Sequence, residues 1–384
     1  MNFELTDEQK MVRDAVREFA REVVAPRAAE IDQTGEFPTE EFRQAGELGF
    51  AGVSVPEAYG GAGMDTISYA IVIEEVSRAC ANMGVILSVN NSLVCDPIAK
   101  FGTEEQKKEI LAPLARGEKL GCFALTEPEA GSDAANQKTR AVRDGDSYRL
   151  TGEKIFITCG AAADLALVFA ATDREKKHKG ISAFLVDTNA PGFDRSHHQV
   201  KLGVNASGTV EIFLNDVVVP ASRRLGAEGD GFRIAMATLD GGRIGIAAQA
   251  VGIAQSAFEA AVRYAGERKV FGRPIAELQA LRFYVADMAT ELDAARLVTW
   301  RAAAAKDEAA ASGGRYTEEA AIAKLYAAEM AQRVTTKALQ IHGGYGYTKE
   351  FPVERNFRDA RITEIYEGTS EIQRVVISRE IFAR

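Results

Sequence analysis

One glutamate near the C-terminal end of the chain has a setting that suits acid–base chemistry. Glu367 lies in the run Tyr366-Glu367-Gly368-Thr369-Ser370, a glycine-containing turn before a segment with helical periodicity. Ser370 and Gln373 predict a capping box, which would begin the helix there. A helix N-terminus favours the ionised carboxylate, whereas desolvation favours the neutral acid. We expect desolvation to prevail once a ligand seals the site, which would bring the pKa towards neutrality and suit a general base. A glutamate in this position can also serve only to compensate the helix dipole.

Two glycine-containing loops are candidates for binding an anion. The run ALTEPEAGSDAAN (124–136) offers backbone N–H groups and a hydroxyl at Gly131 and Ser132, although it also fits a polar linker between domains. The run QIHGGYGY (340–347) contains the pair Gly343-Gly344, which would let the backbone approach a ligand closely or would simply end a helix. No Gly-x-Gly-x-x-Gly motif follows a predicted strand, and no Walker loop occurs. A nicotinamide enzyme or an ATPase is therefore disfavoured.

Composition excludes several other classes of protein. The formal net charge of −9 disfavours a partner made of nucleic acid, because the phosphates would repel the chain. The four cysteines form no Cys-x-x-Cys pair and the four histidines have no metal-ligand spacing, so we expect no metal site. No run of 18 apolar residues predicts a membrane span. The first ten residues lack an apolar stretch, so we expect a cytoplasmic protein without a signal peptide.

The order of secondary-structure patterns predicts three domains. Helical patterns fill the first third, including stretches near 39–48, 65–81 and 103–115, after a capping box at Thr6 and Gln9. From about 121 the chain consists of short β-type runs, with a hairpin signal at Asp144-Gly145, which indicates a β-sandwich or barrel. Helical patterns return from about 229. Because strands and helices do not alternate, a doubly wound sheet is disfavoured. We predict an α+β multidomain protein with domains at 1–120, 121–228 and 229–384.

Four stretches taken together resemble the acyl-CoA dehydrogenase family. The segment from Ala124 to Asp133 matches the first signature of the family, although Asn136 replaces its usual small residue. Arg268, Phe271 and Gly272 reproduce an Arg-x-x-Phe-Gly element. The second signature is matched by Gln340, Gly343, Gly344, Gly346, Glu350, Arg355 and Asp359. The run from Ile365 to Arg374 is similar to the catalytic loop of the short-chain, butyryl-CoA branch. The resemblance covers the whole chain and implies that the C-terminal domain is a four-helix bundle.

The resemblance implies FAD as the cofactor. It implies contacts to the flavin from two segments of the same subunit and from the catalytic loop: Phe123, Leu125, Thr126, Gly131, Ser132, Phe156, Ile157, Thr158, Thr369 and Glu371. Phe156 stands where many members have Trp, which keeps an aromatic face and loses the indole N–H. A second set would reach the FAD phosphates and adenosine of a neighbouring subunit: Arg268, Gln279 and residues 340–344, which include Gln340, Gly343 and Gly344. Phe271 is a further residue expected to bind the cofactor. Members are usually tetramers, so we expect a homo-oligomer. Without these neighbours, Arg268 would be interpreted as a surface arginine at a helix end.

The resemblance also implies the reaction, in which a short-chain acyl-CoA is oxidised to a trans-2-enoyl-CoA. Glu367 would remove the α-proton while the β-hydride passes to the flavin. The backbone N–H of Glu367 and a ribityl hydroxyl of FAD would polarise the thioester carbonyl. Ser132, Asp240, Arg243 and Gly368 would contact the substrate, although Asp240 and Arg243 also fit a simple i,i+3 ion pair. Relatives such as the isovaleryl-CoA enzymes place their base in an Asp-x-Glu-Arg element, where this chain has Gly242.

Several alternatives stay open at this point. The chain can be an acyl-CoA oxidase, or a dehydrogenase of a medium-chain or branched acyl thioester. A flavin-free interaction protein on the same fold is a non-enzymatic alternative, which the intact Glu367 disfavours. The resemblance implies an electron-transferring flavoprotein as the electron acceptor.

Overall fold

The structure, a computed structural model, describes residues 4–383. Residues 1–3 and 384 lie outside this range. The first three of the ten N-terminal residues considered above therefore lie outside the described residues, as do the outer ends of the predicted domains 1–120 and 229–384. Within residues 4–383 the chain forms helices, then a sheet, then helices, in the predicted order.

The N-terminal third is helical. Its first helix begins as predicted, because the Thr6 hydroxyl accepts a hydrogen bond from the Gln9 N–H at 3.2 Å and the Gln9 side chain accepts one from the Thr6 N–H at 3.0 Å. Short π-helical segments at Ala20–Val24, Val89–Cys95 and Lys107–Leu111 connect several of the α-helices. The helices are α1 (Asp7–Phe19), α2 (Ala28–Thr34), α3 (Thr39–Glu47), α4 (Thr66–Ala79), α5 (Ala81–Ser88), α6 (Asp96–Phe101), α7 (Glu104–Gln106) and α8 (Ala112–Ala115).

The middle third contains one eight-stranded sheet. The strands are β1 (Gly121–Ala124), β2 (Arg140–Asp144), β3 (Ser147–Ile157), β4 (Leu165–Ala171), β5 (Ile181–Asp187), β6 (Phe193–His198), β7 (Val210–Pro220) and β8 (Arg224–Leu225). The strand order is β6-β7-β3-β2-β4-β5-β8, and β1 pairs with β4 in parallel. β2 and β3 form the predicted hairpin, in which Asp144 pairs with Ser147 and Gly145 has a φ of 59°. Strands β5 and β7 are also in contact without being hydrogen-bonded neighbours, so the sheet curls over itself in the manner of a barrel.

The C-terminal part is built on three long helices. α9 (Gly231–Glu267) has 37 residues and packs against α4, α5, α10 and α11, while α10 (Gln279–Ser312) and α11 (Thr317–His342) pack against each other. A small ribbon of β9 (Lys269–Val270) and β10 (Arg273–Pro274) joins α9 to α10. The shorter helices α12 (Pro352–Ile362) and α13 (Ser370–Phe382) pack on α11. The apolar faces of α4 and α9 belong to the same core, so α9 joins the N-terminal and C-terminal parts of the molecule.

The described residues contain no helix that is both long and apolar enough to cross a membrane. All four cysteines are buried free thiols.

Candidate active site

Glu367 lies on a strained turn between α12 and α13. Its φ is 51°, a value that non-glycine residues rarely adopt, and the φ of Gly368 is 92°. The carbonyl groups of this turn are held by buried side chains. The Gln373 amide donates to the carbonyl of Glu367 at 3.1 Å and to that of Gly368 at 2.9 Å. The Lys324 ammonium, from α11, donates to the Gly368 carbonyl at 2.7 Å. These bonds fix the backbone from which the Glu367 carboxylate extends.

The predicted capping box at Ser370 and Gln373 is wrong. Helix α13 is capped by Thr369, whose hydroxyl accepts a hydrogen bond from the Ile372 N–H at 3.4 Å. Gln373 is drawn instead to the two carbonyl groups of the preceding turn, because these acceptors are buried and need donors. The capping role moves by one residue, and the glutamine serves the turn that carries Glu367.

The Glu367 carboxylate points at the backbone of α9. A Cβ atom added to Gly242 would lie 2.0 Å from Glu367 Oε2, which is closer than any real contact. Within residues 4–383, Glu367 Oε2 is shielded from solvent and has no hydrogen-bond partner. Gly242 is the position at which the family resemblance implies a base in some relatives. The structure gives the reason why one position excludes the other, since the carboxylate of Glu367 fills the space that a side chain at 242 would need.

The electrostatic setting of Glu367 suits a general base. Burial raises the pKa of Glu367 to about 7, while the charges of Lys324 and Arg243 act in the opposite direction. Burial also lowers the pKa of Lys324 to about 8. An acid with a pKa near neutrality is ionised often enough to accept a proton and basic enough to hold it.

Asp240 and Arg243 form the predicted i,i+3 ion pair on α9. Their closest atoms are 2.6 Å apart, and the Thr317 hydroxyl donates to Asp240 at 2.7 Å. Both side chains are largely buried, so this is an interior pair and not a pair on a solvated surface. Among the described residues, the shielded Nε of Arg243 has no hydrogen-bond acceptor. Contact with the substrate stays a prediction for both residues.

Tyr366 anchors the turn from the other side. Its hydroxyl donates to the Gln249 side chain on α9, and Gln249 in turn donates to the Ala81 carbonyl at 3.0 Å. The turn is therefore connected to the N-terminal domain through α9.

The first loop with a possible anion-binding role is fixed by a buried lysine. Lys154, on β3, is fully buried and pairs with Glu127 at 2.7 Å. Its ammonium also donates to the Leu125 carbonyl at 3.1 Å and to the Gln137 side chain at 3.1 Å. Glu127 accepts further bonds from the backbone of residues 138 and 139. The two ends of the loop are thus tied to the sheet.

The predicted flavin-binding residues on this loop differ in how much of each is exposed to solvent. The side chains of Phe123 and Leu125 lie in the core, where the Phe123 ring packs 5.0 Å from that of Phe169. Only their backbone can reach a ligand. Thr126 is half-buried and Gly131 and Ser132 are exposed. An added Cβ at Gly131 would meet no atom within 4 Å in the described part of the chain.

Phe156 presents an aromatic face to the outside. Its side chain is 62% exposed and its φ is 59°, while Ile157 is buried and Thr158 is half-buried. A bulky residue with positive φ is unusual and is typical of functional sites. The same strain occurs at Phe271, where φ is 50° and the side chain is 94% exposed.

Four residues of the second set line one cavity of about 500 Å³ at the end of α9 and α11. They are Arg268, Gln340, Gly343 and Gly344. Gly343 has a φ of 59°, and Cβ atoms added at either glycine would meet nothing within 4 Å among residues 4–383. The Arg268 guanidinium lies 5.5 Å from the centre of the Tyr345 ring. Phe271 and Gln279 are exposed and do not line this cavity. Thr369 and Glu371 do not line it either: Thr369 caps α13 and Glu371 is exposed.

Two residues that position the site, Lys324 and Lys154, were missed from the sequence, and a third, Gln373, was given the wrong role. Lys324, Gln373 and Lys154 are buried polar residues that bond to carbonyl groups of site loops. A signal for Lys324 exists, because it lies in the alanine-rich run TEEAAIAKLYAA and on the same helical face as Ala320 and Ala327. A lysine on a buried helical face requires a partner.

Three family models match the chain in sequence. They are the N-terminal domain (residues 6–118), the middle domain (122–217) and the C-terminal domain (229–382) of acyl-CoA dehydrogenase. The chain therefore belongs to the acyl-CoA dehydrogenase family, a family of oxidoreductases.

Individual relatives indicate a branch of this family. The chain is 52% identical over 382 residues to a short-chain specific acyl-CoA dehydrogenase of Clostridium acetobutylicum, with 100% of both chains covered. The structure is similar to that of butyryl-CoA dehydrogenase from Megasphaera elsdenii, with a TM-score of 0.97, 46% identity and 100% of both chains covered. It is also similar to a chain from a structure reported for the electron transferring flavoprotein of Acidaminococcus fermentans, with a TM-score of 0.98, 49% identity and 100% of both chains covered. The predicted family, fold and enzyme class are confirmed.

Proposed function

We propose that this protein catalyses the FAD-dependent α,β-dehydrogenation of a short-chain acyl-CoA, with Glu367 as the base. The observation that carries the proposal is Oε2 of the Glu367 carboxylate, which is shielded, has no hydrogen-bond partner among residues 4–383 and faces the bare backbone of Gly242. A shielded carboxylate oxygen with no partner carries a free-energy cost, and such unsatisfied groups are found at functional sites. A substrate carbon acid supplies the missing partner.

The residues of the chain divide the remaining tasks. Glu367 accepts the proton from Cα, and its pKa of about 7 matches an operating pH near neutrality. The backbone N–H of Glu367, on the turn fixed by Gln373, is the proposed donor to the thioester carbonyl. Arg243 and Asp240 are proposed to contact the CoA portion, together with Ser132 and Gly368.

The two groups of predicted cofactor residues fit FAD. Phe156 offers a flat, exposed ring for contact with the isoalloxazine. The N–H of the preceding Ile155 donates to the Thr126 carbonyl at 2.9 Å, which connects this strand to the loop that bears Ser132. The cavity of Arg268, Gln340, Gly343 and Gly344 offers a guanidinium and unobstructed glycine backbone, which suit phosphates. We assign this second group to the FAD of a neighbouring subunit, and Phe271, Gln279, Thr369 and Glu371 to the periphery of the cofactor. When bound, FAD accepts the hydride that leaves Cβ.

The short-chain assignment is supported by the Clostridium acetobutylicum and Megasphaera elsdenii relatives, and the match to a chain in the Acidaminococcus fermentans structure supports an electron-transferring flavoprotein as acceptor. We further propose a homotetramer in the cytoplasm, with domains at 1–120, 121–228 and 229–384.

One experiment tests substrate and cofactor together. The purified protein is mixed without oxygen with butyryl-CoA, octanoyl-CoA or isovaleryl-CoA, and bleaching of the flavin absorbance is followed. We expect the fastest bleaching with butyryl-CoA. Preference for octanoyl-CoA or isovaleryl-CoA would contradict the short-chain assignment. Protein that contains no flavin and binds none would contradict the enzymatic function.

A further inference from the structure

Lys324 is a buried cation that donates a hydrogen bond to the turn that carries the proposed base. The residue is 0% exposed, and its Nζ donates to the Gly368 carbonyl at 2.7 Å. A buried ammonium carries a large desolvation cost, which a single neutral acceptor compensates poorly. A fully buried lysine in an alanine-rich helix therefore requires a further role.

The charges around Lys324 indicate which group supplies that role. The negative charge that acts on it most strongly is that of Glu367, and Glu364 and Glu371 act more weakly. Glu364 already pairs with Arg361, and Glu371 is exposed. Glu367 is thus the carboxylate whose charge acts most strongly on Lys324, and it extends from the same turn whose carbonyl Lys324 binds.

The groups facing Glu367 from the other elements leave Lys324 as its main cation. Arg243, from α9, is already paired with Asp240 at 2.6 Å, so much of its charge is compensated. Tyr69, from α4, and the neighbouring Tyr366 are neutral phenols whose pKa values are raised by burial and, to a smaller extent, by the Glu367 charge. We propose that Lys324 is the positioning residue of the base: its ammonium fixes the Gly368 carbonyl and so the turn that carries Glu367, and its charge favours the ionised carboxylate.

This inference rests on the proposed function, because it assumes that Glu367 must lose its proton to act. The rate then rises with pH through the pKa of Glu367. Removing the Lys324 charge makes ionisation of the carboxylate harder and moves this rise to higher pH. Gln373 provides a matched control, since it binds the carbonyls of the same turn and carries no charge.

The first test compares pH profiles of kcat/KM for butyryl-CoA. In Lys324→Met we expect the acid limb to move up by about one pH unit, so that the rate at pH 6.5 falls about tenfold and the rate at pH 9 changes little. Lys324→Arg keeps the charge, and its limb should stay at the wild-type position. Gln373→Leu should lower the rate at every pH without moving the limb. An unmoved limb in folded, FAD-loaded Lys324→Met, or a Lys324→Arg limb displaced as far as that of Lys324→Met, would overturn the inference.

The second test uses thermal unfolding and does not depend on catalysis. Glu367→Gln is placed in the wild-type and in the Lys324→Met backgrounds, and the four melting temperatures are measured at pH 5 and pH 8. At pH 8 the glutamine should raise the melting temperature more in the Lys324→Met background, whereas at pH 5 its effect should be the same in both. Equal effects at pH 8 would show that the two charges do not interact. A Glu367→Gln enzyme with a normal rate would instead remove Glu367 as the base, and this outcome leaves the thermal coupling measurable.

Discussion

Among individual residues, the proposed chemistry depends on one carboxylate, that of Glu367. Glu367→Gln preserves the shape of the side chain and removes its ability to accept a proton. We expect the variant to bind FAD normally and to lose at least ~10²–10⁴-fold in rate, the usual contribution of a general base. Flavin content from the absorbance spectrum and the anaerobic bleaching rate with butyryl-CoA measure the two quantities. A near-normal bleaching rate would move the base to another residue.

The same residue predicts how stability depends on pH. Burial raises the pKa of Glu367 from its ordinary value of 4.5 to about 7, so the folded state holds the proton more tightly than the unfolded chain. This contribution to stability is fully present below about pH 4.5 and is lost as the pH rises through about 7. Glu367→Gln has no such loss. Its melting temperature relative to wild type should therefore be higher at pH 8 than at pH 5, and a constant difference would show that the carboxylate is not desolvated.

Sequence patterns led to Glu367 as the proposed base but not to the side chains that fix its turn. Glu367 is visible because its glycine-containing turn and the following helix are local features of the chain. Lys324 is 43 positions away from it in sequence, and a lysine in a helix is ordinarily solvated. Gln373 was predicted to cap the helix, but its side chain instead donates to the buried carbonyl groups of Glu367 and Gly368. Hydrogen bonds between distant elements follow from packing, which no local pattern encodes.

Among the secondary-structure elements, α9 presents bare backbone at Gly242 to the proposed base, Glu367. Gly242→Ala would place a methyl group 2.0 Å from Glu367 Oε2 and so displace the carboxylate. Because a displacement of about 1 Å can cost ~10²-fold in rate, we expect a loss of that order with FAD binding retained. Gly266→Ala is the matched control on the same helix, since its added Cβ meets nothing within 4 Å among the described residues. Equal rates for the two variants would show that the carboxylate does not occupy this space during turnover.

A second prediction concerns Lys154 on strand β3, which fixes the loop that bears Ser132. Lys154→Met leaves Glu127 buried without its cation, and breaking one partner of a buried pair typically costs ~3–5 kcal/mol. Thermal or urea unfolding should show a large loss of stability, accompanied by weaker FAD binding. Lys138→Met removes the exposed partner of Glu129 nearby and should change little. A similarly small effect for both lysines would show that the loop is held by other contacts.

The order of elements was predictable because periodicity is a local property. Alternating β-type runs between Gly121 and Pro220 and helical runs on both sides give the three parts of the molecule. The way in which the sheet closes could not be predicted from the sequence. β1 and β2 both pair with β4 in parallel, and no sequence pattern indicates which strands will be neighbours. The burial of Phe123 and Leu125 was not visible in the sequence either. Both side chains lie in the core, so only their backbone is available for the predicted contacts with the flavin.

At the scale of the whole molecule, the base and the Arg268 cavity form two separate groups, as expected if a complete site uses two subunits. The lining of the cavity at Arg268 does not include Glu367 or any residue that holds its turn. If the cavity binds the FAD phosphates of a neighbouring subunit, Arg268→Met and Glu367→Gln should each be nearly inactive alone. In a mixed oligomer, a subunit with an intact Glu367 can pair with a neighbour that has an intact Arg268.

Coexpression of Arg268→Met and Glu367→Gln chains with different affinity tags, followed by purification on both tags, tests this arrangement. In a symmetric pair of reciprocal sites, each mixed pair has one complete site out of two. Purification on both tags keeps only oligomers that contain both chains. A two-subunit oligomer should therefore restore about half of the wild-type bleaching rate with butyryl-CoA, and a tetramer of randomly formed pairs somewhat more than a quarter, where either variant alone gives almost none. If Arg268 serves the FAD of its own subunit, every site in the mixture lacks either the base or the arginine, and mixing restores nothing. Complementation thus distinguishes a shared site from a self-contained one.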